Sequence, residues 1–428
     1  MLDFKMKKIF RCALFFVFLI SGLSCKKDIT DLPLTDYNNI FTVEGPILSG
    51  DSTIIHLSRT TRITGNKTAK AELNAIASVE SDQNQLYPLT EKGDGTYVLG
   101  VTNFDPAHKY RLNIKTADTK IYQSDFVNLK ITPAIDSVYY KPESDKKINF
   151  YVNTHDANKS TRYYRWDYKE TWSYTSLYQA FWQYKNGKIS AIAPYGADDI
   201  FGCFRTAISN QIIVGMSADD NINNQIVGSL SAETEKISRV YVMQLRQYAL
   251  TEAAYNYYNT LQSSFDQLPA STKGNIHCIS VPTEQVSGFV SVSTVSNKQV
   301  SVRGSETDLR RPDPYGVINW GPNAIVPHYY ASYYFPGPSI DECATNSFFV
   351  APSVTLSDRV NQFLASGENL LIDADRYRPS GEAFAVPVFP DAQQGVNYQF
   401  YFAPKKCVDC RLKGGTNIRP SYFPPQYY

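Results

Sequence analysis

Short runs of alternating apolar and polar residues, each closed by a turn signal, dominate residues 40–132. In the run KYRLNIKT, Tyr110, Leu112 and Ile114 fall on one side of a strand and the intervening polar residues on the other. The sequence KGDG at 92–95 is typical of a turn that joins two paired strands. About six or seven strands of this kind in a single stretch predict an immunoglobulin-like β-sandwich over 40–132.

The alternating pattern continues beyond Pro133, and the 31 tyrosines of the chain favour pleated, half-buried surfaces. One segment departs from it, because Ala254, Tyr258 and Leu261 recur at helical spacing and Thr251 is placed to cap their helix. The fold class is therefore predicted as mainly β. An N-terminal immunoglobulin-like sandwich is followed over 133–428 by a larger β-rich domain with one amphipathic helix near 251–265.

An aromatic stripe lies in the run YYRWDYKETW of this second domain. Tyr164, Trp166 and Tyr168 share one face of a strand, and Trp172 follows in phase. The buried face of a sheet has this pattern, and so has an open aromatic face that binds a glycan or a peptide. Both interpretations stay open at the level of the sequence.

The N-terminus carries an export signal. A basic segment is followed by the apolar run CALFFVFLISGLSC, which falls short of the ~20 residues that a membrane-spanning helix needs. Cys25 follows small residues, and this looks like a bacterial lipobox, where the cysteine thiol takes a diacylglycerol. We therefore predict a signal peptide over 1–24, lipid attachment at Cys25 and a polar, lipidated tether over 25–39.

The remaining cysteines raise three possibilities, because the CVDC spacing of Cys407 and Cys410 suits a metal, a redox centre or a disulfide. Zinc needs four ligands, and a redox pair needs a helix N-terminus to lower its thiol pKa. Thiols outside the cytoplasm tend to be oxidised, so disulfides are favoured. Cys203 and Cys343 are the candidate partners of the closing pair, and the odd cysteine, Cys278, is expected to stay free.

The sequence gives no positive indication of catalysis. The net charge of +1 argues against nucleic acid as a partner. The five histidines are spread along the chain without metal-ligand spacing, and neither a nucleophile elbow nor a phosphate-binding glycine loop occurs. We predict no catalytic residues, no metal site and no cofactor, and thus a protein that is not an enzyme.

Several scattered residues together resemble those of one known family. They are Cys25, Tyr255, Tyr258, Gly274, Asn275, Ile276, Pro282, Gly288, Phe289, Cys407, Asp409, Cys410, Gly414, Gly415, Thr416, Asn417 and Pro420. The chain is similar in these features to the Bacteroidota lipoproteins catalogued as domain of unknown function 4249. It departs from them at Tyr422 and Phe423, where that family commonly has a Phe-Trp pair.

The resemblance implies an outer-membrane lipoprotein, often encoded beside a TonB-dependent transporter, with no established activity. The expected function is a non-enzymatic accessory or binding partner of such a transporter, lipid-anchored on the periplasmic or cell-surface side. Two alternatives remain. One is a free-standing lipoprotein that binds a glycan or peptide, and the other is a hydrolase whose site is assembled from distant residues.

Overall fold

The fold is given by a computed structural model. It describes residues 39–61, 69–143, 146–176, 180, 182–185, 188–192, 197–231, 234–237, 239–263, 274–307, 346–350, 369–377 and 397–425. The predicted signal peptide, Cys25, nearly all of the tether and Cys343 lie outside these ranges. Within the ranges, every helix is too short or too polar to cross a membrane.

Eleven short strands form in the first part of the chain. They are β1 (Phe41–Glu44), β2 (Ile47–Ser49), β3 (Thr53–Arg59), β4 (Lys70–Ala71), β5 (Ile76–Ser81), β6 (Leu86–Pro88), β7 (Thr90–Gly93), β8 (Thr96–Leu99), β9 (Lys109–Lys115), β10 (Ile121–Ser124) and β11 (Val127–Asn128). The turn between β7 and β8 contains Gly93, Asp94 and Gly95, all with positive φ, as the KGDG sequence predicts.

Fifteen strands follow in the described part of the remaining chain. They are β12 (Ile135–Glu143), β13 (Lys147–His155), β14 (Tyr163–Thr175), β15 (Trp182–Lys185), β16 (Lys188–Ala191), β17 (Gly202–Ile208), β18 (Ile213–Met216), β19 (Asn221–Ser231), β20 (Val240–Leu250), β21 (Ile276–Cys278), β22 (Val286–Gly288), β23 (Val292–Arg303), β24 (Asn346–Val350), β25 (Asn369–Tyr377) and β26 (Asn397–Pro404). The helices are α1 (Glu252–Ser263) and α2 (Lys405–Val408), with 3₁₀ turns at Glu235–Ile237, Gly304–Glu306 and Cys410–Lys413. The prediction of a mainly β fold is confirmed.

The N-terminal immunoglobulin-like sandwich consists of two sheets. One has the order β22-β1-β3-β8-β7 with β4 on β3, and the other has the order β21-β10-β9-β5-β6 with β11 on β9. Tyr110, Leu112 and Ile114 point into the core between them, as their alternation predicts. The Phe41 ring of the first sheet stacks on the Tyr122 ring of the second, with 4.2 Å between centroids.

The sandwich also contains residues that the sequence analysis placed in the second domain. Strand β21 pairs with β10, and β22 runs parallel to β1, so the chain returns to the first domain after α1. Ile276 and Val290 are buried in the core of that sandwich. The prediction that the sandwich ends at residue 132 misses this return. Val43 pairs with Gly288, and a pairing between residues so far apart produces no pattern in the sequence around either of them.

The return begins at a junction in which three residues fit closely. A side chain at Gly274 would place its Cβ 1.9 Å from the carbonyl oxygen of Gly288, and Gly288 itself has a φ of +136°. Buried Asn275 receives the N–H of Val290 on Oδ1 at 2.8 Å and donates from Nδ2 to the Val290 carbonyl at 2.9 Å. The Asp125 N–H donates to the Asn275 carbonyl at 2.8 Å, which ties the junction to the sandwich.

The second domain is also built of two packed sheets. One has the order β17-β14-β20-β23-β2 with β18 on β14, and the other is β12-β13-β19. Their facing side chains form one hydrophobic core, in which the Phe150 and Tyr241 rings lie 5.4 Å apart. Because β2 comes from the first part of the chain and pairs in parallel with β23, the two domains share backbone hydrogen bonds.

The predicted amphipathic helix is confirmed as α1, on the outer face of the second domain. The Ala254 N–H donates to Thr251 Oγ1 at 3.2 Å, so Thr251 caps the helix as predicted. Tyr257 and Tyr258 pack against Phe289. The helix therefore contacts the returning segment as well as the sheet.

We expect Asn275→Ala to destabilise the protein by about 2–3 kcal/mol, because the variant leaves the buried N–H and carbonyl of Val290 without partners. Urea unfolding followed by circular dichroism measures the change. Asn297→Ala is the matched control, since Asn297 is exposed on β23, and its effect is expected to stay within about 0.5 kcal/mol. Equal midpoints for both variants would show that the junction does not stabilise the fold.

Candidate functional site

The predicted aromatic binding face is buried. Tyr164 and Trp166 are fully buried, while Tyr168 is 7 % and Trp172 6 % exposed. All four belong to the core between the two sheets of the second domain, and the Trp166 Nε1–H donates to Gln247 Oε1 at 2.8 Å. These residues cannot form an open face for a glycan or peptide, so the stripe is the inner face of a sheet.

The other face of β14 carries a buried charge cluster beneath α1. The Asp167 carboxylate accepts from Arg246 Nε at 2.6 Å and from the Tyr248 hydroxyl at 3.2 Å. The Arg165 guanidinium lies 4.7 Å from the Tyr258 ring centroid of α1. The cluster therefore attaches the helix to the sheet through a charge-assisted network and a cation–π contact.

The chain closes on this domain through residues 405–425, which we call the closing segment. Cys410 forms a disulfide with Cys203 of β17, with 5.7 Å between their Cα atoms. Cys407 is disulfide-bonded as well, and Cys343 lies outside the described residues. Cys278 remains as a buried free thiol.

Two glycines fit the closing segment to the sheet. Gly414 has a φ of +82° and ends the 3₁₀ turn in the left-handed region. A Cβ on Gly415 would lie 2.1 Å from the Tyr174 hydroxyl, so only glycine allows this approach. Beyond them, Thr416 exchanges both backbone hydrogen bonds with Phe204, at 2.8 and 3.0 Å. The Gly-Gly-Thr sequence thus extends the sheet by one backbone pair.

The last residues of the segment also pack on the sheet. The Phe423 ring is buried against Phe204, with 5.0 Å between centroids. The Tyr422 hydroxyl lies within hydrogen-bond distance of Thr171 Oγ1, at 2.9 Å. Tyr422 and Phe423, which differ from the Phe-Trp pair common in the family, therefore attach this segment to the sheet. Phe423 does so by apolar packing and Tyr422 by a hydrogen bond.

A group of charged and aromatic side chains lies under the closing segment. We call it the closing cluster, and it consists of Trp172, Tyr174, Arg205, Glu235 and Lys413. The Arg205 guanidinium lies 5.9 Å from the Trp172 ring centroid and 5.3 Å from that of Tyr174. The Tyr174 hydroxyl donates to the Cys410 carbonyl at 2.9 Å. The cluster is therefore held in place by the disulfide-bonded turn.

The closing cluster contains polar groups in an unusual environment. Trp172 Nε1 and Glu235 Oε1 are buried, and each is without a hydrogen-bond partner. Burial lowers the pKa of Lys413 to about 8, while the Glu235 carboxylate raises it and the Arg205 guanidinium lowers it further. A larger fraction of this lysine is therefore uncharged near neutral pH than of an ordinary exposed lysine.

Sequence reasoning named Trp172 of this cluster, as part of an aromatic face, and missed the other four residues. Its members come from β14, β17, the 3₁₀ turn Glu235–Ile237 and the closing segment, so no local spacing brings them together. The one available signal was the position of Lys413 directly before the two glycines.

The histidines contribute no comparable site in the described chain. His277 is exposed, with Nε2 3.1 Å from Asp125 Oδ1, whereas Cys278 is buried with its sulfur 3.6 Å from Ser280 Oγ. The two neighbours point to opposite faces of β21, as strand alternation predicts. Within the ranges that the structure describes, no three His, Cys, Asp or Glu side chains gather as metal ligands, and His328 lies outside those ranges.

Comparison with known proteins identifies one family. The model of the family described as Domain of unknown function (DUF4249) matches residues 27–299, more than half of the 428 residues. The match begins two residues after Cys25, includes both sandwiches and α1, and ends within β23. The closing segment, which the sequence analysis used for the resemblance, lies beyond the matched region.

Other similarities are distant. The capsid polyprotein VP90 of Turkey astrovirus 2 is 29% identical over 170 residues, which are 38% of this chain and only 23% of the length of that protein. Two fibronectin type-III domains of chicken tenascin match 62% of this chain and 99% of theirs, at 7% identity and a TM-score of 0.16. The FN1–FN3 domains of chicken CNTN1 match 50% and 62%, at 10% identity and a TM-score of 0.15. These values support no conclusion about function.

We expect mass spectrometry of a non-reducing digest to recover the Cys203 and Cys410 peptides joined to each other. Cys407 is expected to be linked to Cys343, its candidate partner from the sequence. Cys278 should react with an alkylating reagent only after unfolding, because its thiol is buried. Alkylation of Cys407 and Cys410 in the native, unreduced protein would contradict the disulfide assignment.

The Lys413 ammonium is expected to lose its proton near pH 8. Its pKa is lower in the folded chain than its ordinary value of 10.5, so between these pH values the unfolded chain binds more protons at this residue. The contribution of Lys413 therefore makes the folded state more stable as the pH rises through that window.

Nuclear magnetic resonance of the ¹³Cε atoms in lysine-labelled protein measures this titration. One resonance should titrate near pH 8, and the Lys413→Arg variant should lack it. A spectrum in which the resonance lost in Lys413→Arg titrates near the ordinary value would show that the closing cluster does not desolvate the lysine.

Proposed function

The chain belongs to the family described as Domain of unknown function (DUF4249), and from this premise we propose that it is an exported lipoprotein. Acyl chains on Cys25 hold it to the outer membrane, on the periplasmic or cell-surface side. Its function is that of a non-enzymatic accessory or binding partner of a TonB-dependent outer-membrane transporter. The transporter is proposed as the partner because the sequence resembles that family.

The observation that carries the proposed location is the Cys203–Cys410 disulfide, which joins residues 207 positions apart. Structural disulfides persist in oxidising compartments and are rare in the cytoplasm. The apolar run before Cys25 supports the same location, because it has the length of a signal sequence. Two independent features, one at each end of the chain, thus favour export.

The described fold suits a lipid-anchored protein. Strand β1 begins at Phe41, so residues 26–39 separate Cys25 from the first sandwich. A flexible chain of this length spans roughly 20 Å, and the sandwich can therefore remain close to the membrane while it contacts a neighbouring protein.

The alternative of a free-standing glycan or peptide binder is weaker after the structure, because Tyr164, Trp166, Tyr168 and Trp172 are buried. The closing cluster contains an amine that could serve chemistry, but the described contacts assign it neither a substrate nor a complete set of catalytic groups. The transporter accessory is therefore the function that we retain.

We expect the Cys25→Ala variant to lose its acyl chains and to leave the membrane fraction. Intact-mass spectrometry and labelling with an alkyne fatty acid measure acylation. Cys12→Ala is the matched control, since Cys12 lies in the predicted signal peptide, and its mature product should be acylated normally. Acylation that survives Cys25→Ala would contradict the assigned lipid site.

The partner is tested by chemical cross-linking in intact cells and affinity purification of the native lipoprotein. A TonB-dependent barrel protein should be recovered at a stoichiometry close to one. Purification of an acylated, membrane-bound protein without any barrel protein would refute the accessory function and leave the lipid anchor intact.

A further inference from the structure

Three isoleucines lie in one line across the second sheet of the N-terminal sandwich, with one lysine among them. Ile76 of β5 and Ile121 of β10 are each paired with Lys115 of β9, which lies between them. The Ile279 N–H donates to the Ile121 carbonyl at 2.7 Å, so Ile279 extends the series at the end of β21. We call Ile76, Ile121 and Ile279 the isoleucine row.

The isoleucine row faces solvent. Residues directly opposite each other in an antiparallel pair point to the same side of the sheet. The neighbours Ala77 and Tyr122 are buried in the sandwich, so the row points outward. Ile76 is 72 %, Ile121 39 % and Ile279 51 % exposed.

The row crosses four adjacent strands, which is roughly 15 Å at the usual strand spacing. Isolated exposed isoleucines are ordinary on a protein surface. Here Ile121 and Ile279 are on neighbouring strands and Ile76 follows on the far side of Lys115, so the apolar patch is interrupted only by one lysine with an aliphatic stem.

The chain enters the fold at the same end of the sandwich. Asn39 donates its N–H to the Thr60 carbonyl at 2.9 Å, and the Phe41 ring then stacks on Tyr122. Because Tyr122 directly follows Ile121, the tether joins the sandwich at the end that carries the row, although it does so on the opposite sheet.

We propose that the isoleucine row rests on the lipid surface that holds the acyl chains of Cys25. This inference rests on the proposed lipid anchor. Residues 26–39 keep the end of the sandwich within roughly 20 Å of the membrane, so even a weak apolar contact is favoured by the high effective concentration.

The chemistry of the row suits the boundary between headgroups and acyl chains. Isoleucine side chains can bury their apolar surface there, while the flexible Lys115 side chain carries its ammonium to the headgroups. The diacylglycerol on Cys25 already provides two acyl chains and therefore stable attachment. The isoleucine row adds a second point of contact, and the two contacts together orient the sandwich on the membrane.

The same sandwich provides a matched control at its opposite end. Strand β3 begins at Thr53, paired with Leu99, and ends at Arg59, paired with Phe41. The six steps between its seven residues separate the two ends by roughly 20 Å. Val101 follows the Leu99 end and is 68 % exposed, nearly as much as Ile76.

The experiment uses the acylated full-length protein, reconstituted in vesicles of phosphatidylethanolamine and phosphatidylglycerol. Ile76→Cys and Val101→Cys are each labelled with an environment-sensitive fluorophore. The expected result is a blue-shifted emission at position 76 that lipids with a spin-labelled acyl chain quench at least twofold. The emission at position 101 should match that of the protein without vesicles.

A second variant guards against an effect of the label. Replacement of all three isoleucines of the row by serine, in the acylated protein labelled at Lys115→Cys, should abolish the quenching while the protein still floats with the vesicles. Equal, unquenched emission at positions 76 and 101 in floating protein would overturn the inference and leave the anchor intact.

Two further outcomes also count against it. A blue shift at position 76 without quenching by lipid would mean that a second copy or another protein covers the row. Failure of the unsubstituted acylated protein to float would refute the proposed anchor itself, and the inference with it.

Discussion

The return of the chain through residues 274–294 is the constraint on which the whole arrangement depends. Without β21 and β22, strands β10 and β1 would expose unpaired backbone groups along two sheet edges. The same segment continues into β23, which pairs with β2 in the second domain. One stretch of chain therefore completes the first sandwich and supplies a central strand to the second. The buried Asn275 side chain stabilises this return by its hydrogen bond to the Val290 carbonyl. Gly288 permits it because its φ of +136° is one that residues with a side chain rarely adopt.

Because of this arrangement, the returning segment forms backbone hydrogen bonds in both domains. Phe289 lies between β22 and β23 and packs on Tyr257 and Tyr258 of α1. Tyr258 of the helix in turn contacts the Arg165 guanidinium, which lies 3.8 Å from the Asp167 carboxylate. Removal of one partner from a buried ion pair costs more folding free energy than the intact pair contributes, because it leaves a buried charge unpaired. A change in the helix, the returning segment or the sheet is therefore expected to destabilise the other two.

The sequence predicted what depends on local pattern. The alternation at Tyr110, Leu112 and Ile114, the KGDG turn and the Thr251 cap each report on neighbours along the chain, and the structure has all of them. The aromatic stripe was ambiguous because periodicity shows that Trp166 and Tyr168 share a face but does not show what covers it. The completion of the first sandwich and the closing cluster join residues distant in sequence, so local pattern predicts neither of them, and Lys413 before the two glycines was the one hint of the cluster.

On the proposed export route, the Cys203–Cys410 bond also sets an order of events during biogenesis. A protein that crosses a membrane from its N-terminus exposes Cys203 and then Cys278 to the oxidising side long before residue 410 arrives. The first of these thiols must therefore stay unpaired while about 200 residues follow. Burial of Cys278 in β21 withdraws that thiol from competition, provided that the first sandwich is complete before the chain terminus emerges. On the proposed export route, folding of the early part of the chain would therefore protect the later formation of the Cys203–Cys410 disulfide.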